Sequence, residues 1–401
     1  MKLRVLIAAF ATWLIGASAA MAQGDAPESA PDEISQADMP AVPNLSAPLE
    51  LVDEAVQDNA LEAVEDETDG LEITPVVIAP GNFDALFGEA QFAYATEDYE
   101  VAMLHAETAA AGGHVQAATL AGLIHVEGHL PRSNTSAALT WFRRAAEHDE
   151  PVALYQIGLM AQAGHENLNP ATAGGYFLRA ARSGHVPSML AYALALKAGD
   201  IPQNAPDAMD WAERAASEGN VEAMYQRALM GADWQHGPND LADARYWFER
   251  AGRADHAEAA LQAGLMAATG EGGEIDAETA LQFVRRSAET GYPPAQGQYG
   301  LMLYQGWNGA EPDLTQAAHW FLQGAEGGDA ESEFLYAYVL ARGEGVPQDL
   351  EAAYRWAIRA QTDFDGSVAE NPERDQLQAG LENILPGDVT ARLRRAVAAE
   401  G

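Results

Sequence analysis

Cysteine is absent from this 401-residue chain and lysine nearly so. The first absence excludes disulfides, thiolate metal sites, a cysteine nucleophile and a lipoprotein anchor. Lys2 and Lys197 are the only lysines, and 22 basic residues face 60 acidic ones, for a formal net charge of −38. Nucleic acid is therefore not an expected partner, and neither is an anionic membrane surface, because phosphate contacts need clustered Lys and Arg. Long apolar runs are missing as well. Residues 5–16 are apolar but fall short of the roughly 20 residues that span a bilayer, so no transmembrane segment is expected in the mature chain. Aromatic residues make up only 8%, and their placement reveals the architecture.

What is present begins with an export signal. Residues 1–4 are basic, residues 5–16 apolar, and Ala20-Met21-Ala22 sets small residues at both positions a signal peptidase reads before Gln23. The expectation is cleavage after Ala22 in a Gram-negative bacterium, with the periplasm as destination or secretion beyond it. Residues 23–80 follow as an acidic spacer. Between Gly24 and Pro80 stand 15 acidic residues, seven prolines and no Lys or Arg. That composition buries too little apolar area to offset its ordering entropy, so a disordered, self-repelling segment is expected. Residues 49–64 have some helical apolar spacing (Leu51, Val56, Leu61, Val64), which suits a partner-induced helix.

The dominant signal is a unit of 35 to 37 residues repeated seven times, starting at His114, Glu150, His185, Asn220, His256, Tyr292 and Asp329. An alanine column runs through Ala138, Ala173, Ala208, Ala244, Ala280, Ala317 and Ala353. Three residues later each unit has an aromatic: Trp141, Tyr176, Trp211, Trp247, Phe283, Trp320 and Trp356. An earlier helix carries a second small column, Gly122, Gly158, Ala193, Ala228, Gly264, Gly300 and Ala337, and closes on glycine in every unit but the one with Trp234. Small residues let two helices approach closely, and the aromatic is expected to fill the gap between neighbours. A closing glycine supplies the left-handed backbone that ends a helix, and the Pro, Asn or Asp after it starts the next. No unit buries its apolar face alone, so the units are expected to stack.

These residues resemble the Sel-one-like repeat family, relatives of the tetratricopeptide repeat. The likeness is plainest in the seventh unit, where residues 343–360 read G-E-G-V-P-Q-D-L-E-A-A-Y-R-W-A-I-R-A, and in residues 220–252 and 256–291. It covers residues 114–362 and implies an all-α fold: an α-solenoid of helix-turn-helix repeats wound as a right-handed superhelix. The chain departs from the family at the first-helix tyrosine, where His125, Ala161, Leu196, Gly231, Ala267, Leu303 and Leu340 stand. Residues 83–113 read as a tetratricopeptide-like helix pair that opens the stack. Residues 363–401 read as C-terminal capping helices, one started by Asn371-Pro372 and one by Pro386-Gly387-Asp388. Both ends are expected to be polar.

Catalytic chemistry is hard to find. His125 and His129 have the i, i+4 spacing of a zinc pair, but Gly128 breaks the helix between them, Glu127 is expected to point elsewhere, and no third ligand is placed. His114, His185 and His256 recur every 71 residues at unit junctions and read as turn residues. Some relatives of this repeat class are linked to penicillin binding or β-lactam hydrolysis. An S-x-x-K nucleophile needs Ser three before Lys, and Lys197 has Leu194 there. No catalytic residue, cofactor or resident metal is expected.

What remains is a surface. By analogy with the tetratricopeptide groove, the first-helix position three before the second small column is exposed: Thr119, Tyr155, Leu190, Tyr225, Leu261, Gly297 and Phe334. Of these, Tyr155, Leu190, Tyr225, Leu261 and Phe334 are candidate partner-binding residues, flanked by Glu222, Asp233, Glu258 and Glu331. Packing between units is the competing reading of the same row. The function read from the chain is a periplasmic, non-enzymatic adaptor for another protein or peptide of the envelope. The alternative is a cell-wall-directed protein, either a peptidoglycan-acting enzyme or a glycan binder, which would display exposed Trp.

Overall fold

A computed structural model describes residues 82–131, 133–199, 205–232, 240–361 and 371–399. The export signal, the acidic spacer, Trp234 and Asp233 lie outside them. Every regular element among the described residues is helical, and they divide into two compact units, residues 82–215 and 216–399.

The first unit runs α1 (Phe83–Ala95), α2 (Tyr99–Ala111), α3 (Val115–Val126), α4 (Thr135–Ala146), α5 (Pro151–Gln162), α6 (Ala173–Arg182), α7 (Val186–Ala198) and α8 (Ala205–Ser217). The second runs α9 (Val221–Ala232), α10 (Leu241–Arg253), α11 (Ala257–Thr269), α12 (Ala277–Glu289), α13 (Pro293–Gln305), α14 (Leu314–Glu326), α15 (Ala330–Arg342), α16 (Leu350–Arg359), α17 (Pro372–Ile384) and α18 (Gly387–Val397). Side chains fix most starts. Asn134 Oδ1 accepts from the Ala137 amide at 2.7 Å, Asp313 caps α14 and Asp349 caps α16, each satisfying an amide that the first helical turn leaves free. At the other end, α7 closes on Gly199 with φ +78°, a conformation that costs a side-chain-bearing residue energy.

Within each unit, a first helix packs on its own second helix, and that second helix packs on the next first helix. Alternate first helices touch as well, as α3 and α5 do, or α13 and α15. This is the stacked helix-pair arrangement of an all-α solenoid. The small column works as expected, with one correction. A Cβ placed on Gly122 would lie 2.5 Å from the Phe142 ring, on Gly158 2.4 Å from Phe177, and on Gly300 2.7 Å from Phe321. The side chain that fills the pair is thus the residue after the aromatic column: Phe142, Phe177, Phe248, Val284 and Phe321 are buried. Of the aromatic column itself, Trp247 and Phe283 are buried as expected, while Trp141, Tyr176, Trp211, Trp320 and Trp356 are half-buried. Consecutive helical positions point about 100° apart, so in Trp141-Phe142, Tyr176-Phe177 and Trp320-Phe321 the second residue enters the helix pair and the first flanks it.

The C-terminal pair docks through one buried guanidinium. Arg374 Nη1 donates to the Ala360 carbonyl at 2.9 Å, and its Nη2 lies 2.9 Å from Glu331 Oε2. Glu331, read from the sequence as a groove carboxylate, is therefore an internal partner. Burial raises its pKa, Arg374 opposing the shift. The opening pair also differs from expectation. It is not a polar cap, because Phe92 is 72% and Leu104 60% exposed.

Candidate interaction surface

In the row proposed from sequence, Thr119, Tyr155, Tyr225 and Gly297 lie at seams between successive helix pairs, each beside the start of the following first helix. Thr119 Oγ1 donates to Glu150 Oε2 at 2.8 Å, and the same oxygen accepts from the Ala153 amide that starts α5. Tyr155 lies 5.3 Å from the His185 ring and 5.9 Å from Phe177. Tyr225 stacks on His256 at 4.4 Å, and His256 Nδ1 accepts from the Ala259 amide at 3.2 Å. A Cβ on Gly297 would stand 2.2 Å from Ser332 Oγ. The seam explains the 71-residue recurrence of histidine. An aromatic on one pair (Phe87, Tyr155, Tyr225) faces a capping histidine on the next (His114, His185, His256), so each partner recurs in alternate units.

Leu261 and Phe334 correct the sequence reading. They are 2% and 3% exposed and belong to apolar clusters, Leu261 with Val284 and Met302, Phe334 with Phe321 and Val339. Burying a leucine or phenylalanine is favourable wherever the next helix can cover it, and here it does. Thr119 and Gly297 are buried too. Tyr155, Leu190 and Tyr225 remain partly exposed. Burial and the neighbouring Glu258 carboxylate raise the Tyr225 pKa, so its hydroxyl stays protonated. Glu222 accepts from Gln226 at 2.8 Å and sits 3.3 Å from His256 Nε2, which together hold its carboxyl below the usual range against burial.

The column tryptophans carry neighbouring rings, guanidinium groups or both. Tyr192, Tyr299 and Tyr336 meet Trp211, Trp320 and Trp356 edge-on at 5.3 to 5.8 Å. Arg144, Arg214, Arg250 and Arg359 lie over Trp141, Trp211, Trp247 and Trp356 at 4.5 to 5.7 Å, three residues along the same helix.

Residues 115–150, 151–185, 186–220, 221–256, 257–292, 293–329 and 330–360 each match the Sel1 repeat. The chain belongs to the Sel1 repeat family. Each Sel1 match begins one residue after a start read from the sequence. Among solved structures, a Sel1 repeat protein from Oxalobacter formigenes is similar at 25% identity over 75% of this chain and 87% of its own, with a TM-score of 0.58. A protective antigen of uropathogenic Escherichia coli with an SLR fold is 18% identical over 80% of this chain and 84% of its own, TM-score 0.42. No curated protein matches the chain.

Two features of the Sel1 units escaped the sequence. Five units are preceded by glycine at positive φ (Gly113, Gly184, Gly219, Gly291, Gly328), whereas Asp149 and Asp255 hold that conformation at φ 55° and 65°. Each Asp accepts from an arginine one unit downstream: Arg179 Nη2 at 2.6 Å from Asp149 Oδ1, and Arg286 Nη2 at 2.8 Å from Asp255 Oδ1. Each arginine also donates to a carbonyl, Ala146 or Arg253, at the end of the preceding helix. Glu127 is the second. Far from pointing away from His129, its Oε2 lies 3.2 Å from that ring, and it accepts from Tyr94 Oη at 2.6 to 2.7 Å. His129 stacks on Tyr99 at 3.8 Å, and burial lowers the His125 pKa. The two histidines of the suspected zinc pair have separate surroundings, and no group of three or more metal-ligating residues occurs among the described residues.

Proposed function

We propose that this chain is an exported, periplasmic, non-enzymatic scaffold that binds another protein or peptide of the envelope. The observation that carries the reading is the run of seven Sel1 repeats, since proteins of this family typically mediate protein–protein interaction. The small-residue signal before Gln23 supports export, and the Sel1 scaffold is typically non-enzymatic. Among the described residues, no helix is long and apolar enough to cross a membrane. Partly exposed Tyr155 and Leu190 in the first unit, and Tyr225 beside Glu222 and Glu258 in the second, are the contact residues that remain. Their acidic setting suits a basic partner whose association slows as salt rises. The cation-covered faces of Trp141, Trp211, Trp247 and Trp356 speak against the glycan-binding alternative, which needs an open ring to stack a sugar.

The test is affinity capture from envelope extract with the full chain, followed by binding of the captured protein to Tyr155→Ala and Tyr225→Ala chains. Loss of about 1 to 4 kcal/mol, mainly through faster dissociation and with melting unchanged, is expected for anchors. Unchanged affinity in both variants would move the contact elsewhere, and turnover of a wall fragment by the purified chain would overturn the non-enzymatic reading.

A further inference from the structure

The opening helix pair presents an apolar groove with acidic walls. Gly88, Glu89 and Phe92 of α1, with Asp98, Val101 and His105 at α2, line a space of about 490 Å³. Phe92 and the nearby Leu104 are mostly exposed, and Val101 is partly so. Residues 83–111 hold six acidic residues and no Lys or Arg. His105 is turned toward a carboxylate, its Nδ1 lying 3.3 Å from Glu89 Oε2. Elsewhere in the array a first helix is also covered by the second helix before it: α5, α7, α11 and α13 pack on α4, α6, α10 and α12. Those four second helices bury one small or apolar face and carry arginine in the last turn, as Arg143 and Arg144 do in α4 or Arg250 and Arg253 in α10. The helix α1 packs on α2 and α3, and no described helix takes the preceding place.

We infer that this groove binds a basic amphipathic helix of another protein, laid on α1 as α4 is laid on α5. An apolar stripe at i, i+3, i+4 and i+7 of such a helix meets Phe92, Val101 and Leu104, while Lys or Arg on its flanks meets Glu89, Asp98 and Glu100. The 13 residues of α1 extend about 20 Å, so roughly four turns of a partner helix span them. Charge selects this occupant. The field of the opening pair repels an acidic helix, and a second copy of the chain brings a net charge of −38 against the same charge. The groove shares the protein-binding reading given above but none of its residues, since Tyr155, Leu190 and Tyr225 lie on other helices. Either surface can therefore fail without the other.

Fluorescence anisotropy of synthetic peptides of about 18 residues, titrated with the full chain, tests the proposal. The probe has leucine at i, i+3, i+4 and i+7 and lysine elsewhere. One control scrambles the same residues to break the apolar stripe, and a second replaces lysine by glutamate. The probe should bind at least about tenfold tighter than the scrambled control, and the acidic control should not bind. Phe92→Ser with Leu104→Ser should remove that preference while melting stays unchanged. Gly88→Arg gives a second reading, because a Cβ there meets no atom within 4 Å and the new side chain both fills the groove and opposes its charge. It should remove the preference too, whereas Tyr155→Ala with Tyr225→Ala should leave it intact. Equal binding of probe and scrambled control would make net charge alone responsible and overturn the proposal. So would a probe that both groove variants hold as tightly as the unaltered chain does. Concentration-dependent self-association that Phe92→Ser abolishes would make a second copy the occupant, and would overturn it as well.

Discussion

Glycine has opposite meanings at Gly158 and Gly175, and the difference decides what alanine does at each. A Cβ on Gly158 meets the buried Phe177 ring at 2.4 Å, whereas exposed Gly175, inside α6, meets nothing within 4 Å. Gly158→Ala should therefore cost about 1 to 3 kcal/mol by overpacking, and Gly175→Ala should gain up to about 1 kcal/mol by restraining the unfolded chain. Thermal melting of the two variants separates them. Gly158 was legible in the sequence because it sits in phase with six other small residues. Phe177 was not, because the column phased on tryptophan drew attention to its neighbour, and nothing in a one-dimensional pattern says which of two adjacent aromatics turns inward. The seam residues were illegible for a related reason: Leu261 and Tyr225 share a position, yet one is buried and the other partly open, according to what the next pair brings against them. Acidity offers a second test. Burial lowers the His185 pKa from its ordinary 6.5, with Glu150 opposing, and burial alone lowers that of His125. The unfolded chain then binds more protons than the folded one just below pH 6.5, so the melting temperature of this unit should fall as pH drops through that range. His185→Asn should remove part of the slope.

Among the helices, α17 carries the sharpest expectation. Arg374 joins it to Ala360 and Glu331, and Glu333 is held in turn by Arg359 Nε at 2.8 Å. Replacing Arg374 by methionine strands the Glu331 carboxyl in a site that already disfavours its charge. The expected loss is about 3 to 5 kcal/mol, or local undocking of α17 and α18, against less than about 0.5 kcal/mol for exposed Arg395→Met. Denaturant melts, with exchange protection of Tyr354 and Leu381 as the local readout, distinguish the two. The start of this helix was plain from Asn371-Pro372, since caps are local chemistry. Its docking was not, because Glu331 and Arg374 are 43 residues apart, and no spacing rule links a first-helix carboxylate to a guanidinium in the cap.

At the scale of the molecule, two properties set behaviour. Charge of −38 makes self-repulsion a global cost, so melting temperature should rise with salt between about 0.01 and 0.15 M, as screening shortens from roughly 30 to 8 Å. The apolar core is a string of successive clusters, each built from neighbouring pairs. Damage should therefore stay local: Gly158→Ala should speed exchange in α5 and α6 while leaving α15 and α16 unchanged. The arginine that reaches back to Asp149 or Asp255 bears on how such an array changes length over generations. Recombination that excised residues 151–185 would bring Arg214, six after its column alanine as Arg179 is, to the place facing Asp149, whereas losing residues 221–256 would remove Asp255 and set Gly219 opposite Arg286. Excision of residues 293–329 leaves both couples whole. The Asp255 pair thus marks residues 221–256 as a stretch whose loss leaves a neighbour unmatched, whereas residues 293–329 can be copied or dropped while both couples still fit.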